Sequence, residues 1–220
     1  MEITLLYHTP LAIAIKAIRK CHKSEHRMDT EGDKLGRKDK RLLKNIIKAD
    51  HTSTIEHIYY TFEIKGISRA CLQQLVRHRI ASYSVKSTRY TLQELTKEDK
   101  FKPFSRCDFS GSTVNYLFDK FCVEFDGVDK IAVLKTLLQI RKLIARGYKN
   151  DEVKYLLPEC FKTELVWTIN ARSLRNFFKL RLSKTAHREI RELAIKIYKA
   201  LPNSHKILFE DIIKKSDLDI

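Results

Sequence analysis

Residues 57–79, HIYYTFEIKGISRACLQQLVRHR, place a strand pattern directly before a helix pattern. The stretch from His57 to Ile64 is rich in β-branched and aromatic residues with partial alternation, which predicts a core strand. Ser68 is a residue type that caps helices, and apolar residues recur at helical spacing after it, at Cys71, Leu72, Leu75 and Val76. We therefore expect a core strand and then a helix that ends near Arg79 and leads into a basic segment.

Strand and helix patterns on both sides of this stretch predict an α+β fold. Glu2 to Tyr7 and Thr163 to Ile169 have the composition of strands, and Thr9-Pro10 is expected to start a helix with the proline at its first position. Helical spacing recurs over 11–20, 114–125, 128–145, 151–157 and 173–201, the last with a break at 183–185. Because helices outnumber strands without regular βαβ alternation, we expect mixed helices around a central sheet.

The segment from His22 to Arg41 is almost wholly polar and contains two glycines. A stretch of this kind offers no apolar face to bury, so we predict a mobile surface loop. We also expect this loop to become ordered around a bound ligand.

Length and composition indicate a globular protein. The 220 residues are 43% hydrophobic, and we predict a single domain over 1–220. No apolar run approaches the roughly 18 residues of a membrane span and no secretory signal is evident, so we expect a cytoplasmic protein without membrane contact.

The cysteines are Cys21, Cys71, Cys107, Cys122 and Cys160. Since none pairs as C-x-x-C, we expect reduced thiols, none of them catalytic.

The charge balance indicates an anionic partner without naming one. Lys and Arg number 43 against 27 Asp and Glu, a net charge of +16 that suits nucleic acid, acidic lipids or phosphorylated metabolites. The glycine patterns of the Rossmann dinucleotide site and of the P-loop are both absent, so any nucleotide is held in another way. His51, Glu56 and His57 lack the H-E-x-x-H spacing, and we expect no metal.

The densest group of candidate binding residues is the segment 77–90, RHRIASYSVKSTRY. It sets Arg77, Arg79, Lys86 and Arg89 beside the hydroxyl groups of Ser82, Ser84, Ser87 and Thr88. Guanidinium groups form bidentate bonds to phosphate, and short hydroxyl side chains add further donors, so this segment suits a phosphate. The alternative is a solvated basic turn. Gln74 lies one helical turn before Arg77 on the same face, which favours a site.

Arg181 is the second candidate, because it shares an apolar helical stripe with Leu174, Phe177 and Phe178. A guanidinium on such a stripe must be paired or must await an anionic ligand. The alternatives are that Arg181 extends to the margin of the stripe or pairs with an internal carboxylate. Further polar residues, Asn170, Arg172 and Asn176, lie just upstream, where a strand passes into a helix.

These segments together resemble a known family. One pattern consists of Arg77-His78-Arg79, seven further residues, Ser87, one residue and then Arg89. This pattern resembles the signature of flavin-dependent thymidylate synthases. The segments HTSTIEH, 51–57, and NARSLRNFFKLR, 170–181, resemble that family's flavin-side and C-terminal ligand segments. The resemblance implies an α+β homotetramer with active sites between subunits, which methylates dUMP reductively to dTMP with FAD, NADPH and methylenetetrahydrofolate.

The resemblance also implies roles for individual residues. Arg181 would be the catalytic residue, its charge favouring ionisation at the uracil ring nitrogen. The residues implied to bind FAD are His51, Ser53, Arg77, His78, Arg79, Asn170, Arg172 and Asn176. Those implied to bind dUMP are Gln74, Arg77, Ser87, Thr88, Arg89, Lys154 and Arg181.

The chain departs from the family pattern in two places. Ser84-Val85 stands where Asn-Glu is common, and Lys154 replaces an arginine, keeping the charge without the bidentate fork. Two alternatives therefore stay open beside the enzyme. One is a basic nucleic-acid-binding module that uses the 77–90 segment, and the other is a catalytically silent nucleotide-binding relative.

Overall fold

The structure is a computed structural model that describes residues 1–104 and 110–216. The chain divides into two compact units. The first contains the described residues of Met1–Lys65, Gln74–Ser84 and Leu165–Ile220, and the second contains those of Gly66–Gln73 and Val85–Glu164. Within the described residues, no helix has both the length and the apolar character needed to cross a bilayer.

A four-stranded sheet forms the centre of the fold. Its strands are β1 (Glu2–His8), β2 (Tyr59–Ser68), β3 (Ala81–Val85) and β4 (Lys162–Asn170), in the order β1-β2-β4-β3. β1 pairs antiparallel with β2, so that Glu2 lies opposite Lys65 and His8 opposite Tyr60. The predicted α+β class with a central sheet is thus confirmed.

The helices belong mostly to one unit or the other. In the first unit they are α1 (Leu11–Cys21), α2 (Arg37–Lys48), α10 (Ala171–Arg181), α11 (Arg188–Ala200) and α12 (Glu210–Lys215). In the second unit they are α4 (Thr88–Thr91), α5 (Glu94–Lys97), α6 (Phe101–Phe104), α7 (Gly111–Phe121), α8 (Lys130–Ala145) and α9 (Asn150–Val153). α3 (Arg69–Leu75) begins in the second unit and ends in the first. Single 3₁₀ segments cover Glu25–Arg27, Thr52–His57, Lys154–Leu156 and Asn203–Leu208.

Aromatic side chains fill the core of the first unit. Tyr60, Phe62 and Trp167 of the sheet and Phe177 and Phe178 of α10 are fully buried. The rings of Trp167 and Phe177 meet edge to face with their centroids 5.2 Å apart. This packing, worth several kcal/mol in buried apolar area, fixes α10 against the sheet and therefore fixes the residues on its other face.

Several predicted element ends are wrong by a few residues for identifiable reasons. Pro10 is the cap of α1 and not its first residue, because the Thr9 hydroxyl instead accepts a hydrogen bond from the Tyr59 amide. α3 ends at Leu75 rather than near Arg79, since the Tyr83 hydroxyl donates to the carbonyls of Leu75 and His78. Tyr83 belongs to β3, so part of the segment read as a basic loop is an edge strand.

The prediction that 22–41 is a surface loop throughout is wrong, because α2 begins at Arg37. Asp39 of α2 is fully buried and pairs with Arg19 of α1, with Nη2 and Oδ1 2.5 Å apart. The Asp29 carboxylate accepts hydrogen bonds from the amides of Lys38 and Asp39 at 3.0 Å, which satisfies donors in the first turn of α2. A Cβ at Gly36 would lie 2.1 Å from the Asp29 side chain, so only glycine fits there. These polar contacts stabilise the segment although it has no apolar face, and its ordering around a bound ligand stays a prediction.

Candidate active site

A cavity of about 580 Å³ opens in the first unit between the segment after α3 and one face of α10. We call it the arginine cavity. Its polar lining residues are Glu56, Arg77, His78, Arg79, Asn170, Arg172, Ser173, Asn176 and Arg181. Six of the eight residues predicted to bind FAD are therefore brought together here.

The start of α10 directs its polar residues into the arginine cavity. The Asn170 side chain caps the helix by accepting a hydrogen bond from the Ser173 amide at 2.8 Å. The Ala171 amide donates to the Ile58 carbonyl at 2.7 Å, which ties the helix start to the sheet. Because Leu174 and Phe177 fill the buried face, Arg172 and Asn176 lie on the exposed one. Since its carbonyl oxygen is used as the cap, Asn170 offers a ligand its amide NH₂.

Arg181 is held by uncharged partners. Its Nε donates to His78 Nε2 at 3.0 Å, and its Nη2 donates to the Gln74 carbonyl oxygen at 3.2 Å. Nη1 lies 3.5 Å from Gln74 Oε1. Among residues 1–104 and 110–216, no carboxylate pairs with Arg181, so pairing with an internal carboxylate is wrong for this part of the chain. No carboxylate of this part of the chain therefore offsets the guanidinium at the cavity wall.

His78 is the buried partner of that charge. Burial, together with the neighbouring positive charge of Arg181, lowers the pKa of His78 to about 4. Its ring also meets Phe177 edge to face, with centroids 5.0 Å apart. The imidazole is therefore neutral at physiological pH and is restrained in its orientation.

The remaining arginines of the cavity differ in their pairing. Arg172 Nη1 lies 2.5 Å from Glu56 Oε1. Arg77 and Arg79 are exposed, and within the described ranges neither has a carboxylate partner. Two cations without internal partners at one cavity form a site for an anion.

Two predicted FAD-binding residues lie outside the lining, and four lining residues were not predicted, namely Glu56, Ile80, Ser173 and Leu180. His51 and Ser53 are exposed at the start of the 3₁₀ segment Thr52–His57. Glu56 of the same segment lines the cavity through its contact with Arg172. It is the sixth residue of HTSTIEH, so that segment contained the signal.

The predicted dUMP-binding residues are distributed over both units. Gln74, Arg77 and Arg181 belong to the first unit, and Ser87, Thr88, Arg89 and Lys154 belong to the second. In the second unit, Arg89 Nε and Lys154 Nζ each lie 3.0 Å from a different carboxylate oxygen of Asp151. Asp151 was not predicted, and it brings these two cations together.

Comparison with known proteins identifies the family. Residues 4–205 match the family model described as thymidylate synthase complementing protein. The flavin-dependent thymidylate synthase of Wolinella succinogenes is 49% identical over 210 residues, which cover 95% of this chain and 97% of the relative. The chain belongs to the flavin-dependent thymidylate synthase family. This match favours the enzyme over the nucleic-acid-binding module.

Other members of the flavin-dependent thymidylate synthase family give the same result. The Helicobacter pylori enzyme of strain 26695 is 44% identical over 218 residues, with 97% of this chain and 100% of the relative covered. A crystal structure of thymidylate synthase X from Helicobacter pylori with FAD and dUMP superposes with a TM-score of 0.87 at 42% identity. That comparison covers 97% of this chain and 100% of the solved one.

Proposed function

We propose that this chain is a flavin-dependent thymidylate synthase that converts dUMP to dTMP with bound FAD. The observation that carries the proposal is the arginine cavity, which is lined by Arg77, Arg79 and Arg181, none of them paired with a carboxylate among the described residues. FAD and dUMP are the ligands named for the Helicobacter pylori structure, which this fold matches at a TM-score of 0.87.

The residues of the arginine cavity fit the chemistry of these ligands. FAD carries a diphosphate and dUMP a phosphate, and guanidinium groups recognise both through paired N–H donors. Arg77, His78, Arg79, Asn170, Arg172 and Asn176 would hold FAD, with His51 and Ser53 from the neighbouring segment. Gln74, Arg77, Ser87, Thr88, Arg89, Lys154 and Arg181 would hold dUMP.

FAD supplies the hydride chemistry when it is bound. The contribution of the chain is a cation at the uracil ring, where negative charge develops as a ring nitrogen ionises. His78 and the Gln74 carbonyl hold Arg181 in one orientation before the reaction, so little reorganisation is needed to stabilise that charge. Arg181 is therefore the catalytic residue of this proposal.

The remaining parts of the proposal concern co-substrates and assembly. We infer that NADPH is the reductant and methylenetetrahydrofolate the one-carbon donor, within one catalytic domain over 1–220 that acts in the cytoplasm. We also infer a homotetramer with active sites between subunits. Ile80 and Leu180, which line the cavity, are 73% and 54% exposed, and apolar surface beside a site is typical of a subunit contact.

The direct test is dTMP formation by the purified protein with FAD, NADPH, methylenetetrahydrofolate and dUMP. We expect product only when all four are present, with Arg181→Ala as the matched inactive control. A protein that binds FAD and dUMP but forms no dTMP would be the catalytically silent relative. A protein that binds neither ligand would overturn the proposal altogether.

A further inference from the structure

The two ring nitrogens of His78 have different surroundings. Nε2 accepts the hydrogen bond from Arg181 Nε at 3.0 Å. Nδ1 has no hydrogen-bond partner among the described residues, and His78 lines the arginine cavity. One imidazole thus contacts the catalytic arginine and also faces the space assigned to the flavin.

The contact with Arg181 determines the tautomer of His78. A guanidinium has only N–H groups and cannot accept a hydrogen bond, so Nε2 must offer its lone pair. In a neutral imidazole the proton is then on Nδ1, which becomes a donor. The edge of the ring against Phe177 and the backbone bond from the His78 amide to the Leu75 carbonyl restrain this arrangement.

We propose that His78 is a positioning residue that couples cofactor binding to substrate binding, donating from Nδ1 to the bound flavin and holding Arg181 for dUMP through Nε2. This inference rests on the proposed function and deepens it. A hydrogen bond accepted from Nδ1–H makes Nε2 a stronger acceptor and further restrains the ring. Arg181 is then more often in the orientation that binds dUMP.

Coupling of this kind is reciprocal and measurable. If FAD tightens dUMP binding through His78, dUMP must tighten FAD binding by the same factor. Couplings between sites are commonly about 5- to 150-fold, and a single shared imidazole is expected near the lower end. Direct contact between the two ligands would add to the coupling but would not depend on His78.

The test is the dissociation constant of dUMP, measured by calorimetry for the apoprotein and for the FAD-loaded protein. For wild type we expect FAD to tighten dUMP binding by about 5-fold or more. The dUMP ratio is the dissociation constant of dUMP for the apoprotein divided by that for the FAD-loaded protein. His78→Phe keeps a ring against Phe177 but has no acceptor, so most of this ratio should be lost. His78→Gln retains both an acceptor and a donor and should recover part of it. If His78→Phe fails to fold, His78→Met removes the same acceptor with a flexible side chain.

Asn176→Ala is the matched control, because Asn176 lines the same cavity while the hydrogen bonds described for Arg181 go to His78 and Gln74. It should weaken FAD binding and leave the dUMP ratio unchanged. Equal ratios in wild type and in His78→Phe would overturn the inference while leaving the proposed function intact. A wild-type protein that binds neither ligand would overturn both.

Discussion

The arginine cavity and the segment 22–41 are both rich in charge, and they differ in how that charge is paired. In the segment 22–41, Asp39 binds Arg19, and Asp33 binds the rings of His8 and His205 at 2.8 Å. In the arginine cavity, Arg77 and Arg79 have no carboxylate partner within the described part of the chain. Asp39 and Asp33 are therefore used within the structure, whereas Arg77 and Arg79 are available to a ligand.

This difference predicts opposite consequences for substitution. Removing one partner of a buried pair leaves the other charge uncompensated, so stability is lost. Removing an unpaired cation at a cavity costs little stability, and function is lost instead.

The largest effect on turnover is expected for Arg181→Ala. Loss of a preoriented cation should lower turnover by about two powers of ten, on the order of 3 kcal/mol in the barrier. Flavin content should change far less, because Arg172 and Asn176 remain. Arg181→Lys should recover little, since lysine lacks the planar fork. Flavin reoxidation by dUMP and methylenetetrahydrofolate is the measurement, and wild-type rates in Arg181→Ala would make this residue merely structural.

Asp39→Ala should destabilise the protein by about 3–5 kcal/mol, because it leaves the Arg19 guanidinium buried without its partner. The Arg19 and Asp39 side chains are 6% and 0% exposed. Urea unfolding measures the loss, and the double variant Arg19→Met/Asp39→Leu serves as the control. We expect the double variant to be more stable than Asp39→Ala. Equal stability of Asp39→Ala and wild type would show that this pair does not hold the segment.

A smaller effect is expected at Asp33, and it depends on pH. Burial tends to raise the pKa of Asp33, but hydrogen bonds from His8, the Leu11 amide and His205 outweigh it and lower the pKa from 3.8 to about 2. A carboxyl group with a depressed pKa stabilises the fold at pH values above its ordinary pKa. This contribution disappears as the pH falls from 3.8 to about 2. Because solvent screens this charge, we expect it to contribute about 1 kcal/mol to the free energy of unfolding.

Thermal unfolding of wild type and Asp33→Asn across this pH range isolates the contribution of Asp33. The stability difference should be largest at neutral pH and should shrink towards pH 2. A difference that is the same at every pH would show that the charge of Asp33 is not involved.

The smallest effect is expected for Cys160→Ala. The Cys160 thiol contacts the Cys122 thiol in the second unit, and no described cysteine lines the arginine cavity. Cys107 lies outside the described residues. Turnover should stay within about twofold of wild type, because the mechanism uses no described thiol. Loss of turnover in a folded Cys160→Ala protein would contradict the assignment.

The strands and long helices could be predicted because their apolar periodicity comes from the residues themselves. β1, β4 and α10 lie close to their predicted positions for this reason. The start of α2 at Arg37 could not be predicted in this way, because it depends on Asp29, Arg19 and a close approach at Gly36. Contacts between polar residues far apart in sequence leave no periodic signal.

The candidate site likewise contains residues that short motifs predict and contacts that such motifs do not predict. Arg77, His78, Arg79, Asn170 and Arg172 could be named because short motifs contain them. The contact between His78 and Arg181 joins residues 103 positions apart, and no motif spacing predicts it. The ion pair of Arg89 with Asp151, which brings Arg89 to Lys154, likewise joins distant positions.

We propose that Arg77 and Arg79, which line the cavity, bind the anionic cofactor. The most direct test of this proposal is to incubate purified protein with FAD, remove free FAD by gel filtration and record the visible spectrum. We predict that wild type retains the flavin band and that Arg77→Gln/Arg79→Gln loses most of it without loss of thermal stability. A wild-type protein that elutes without flavin, or a double variant that retains it fully, would contradict the account.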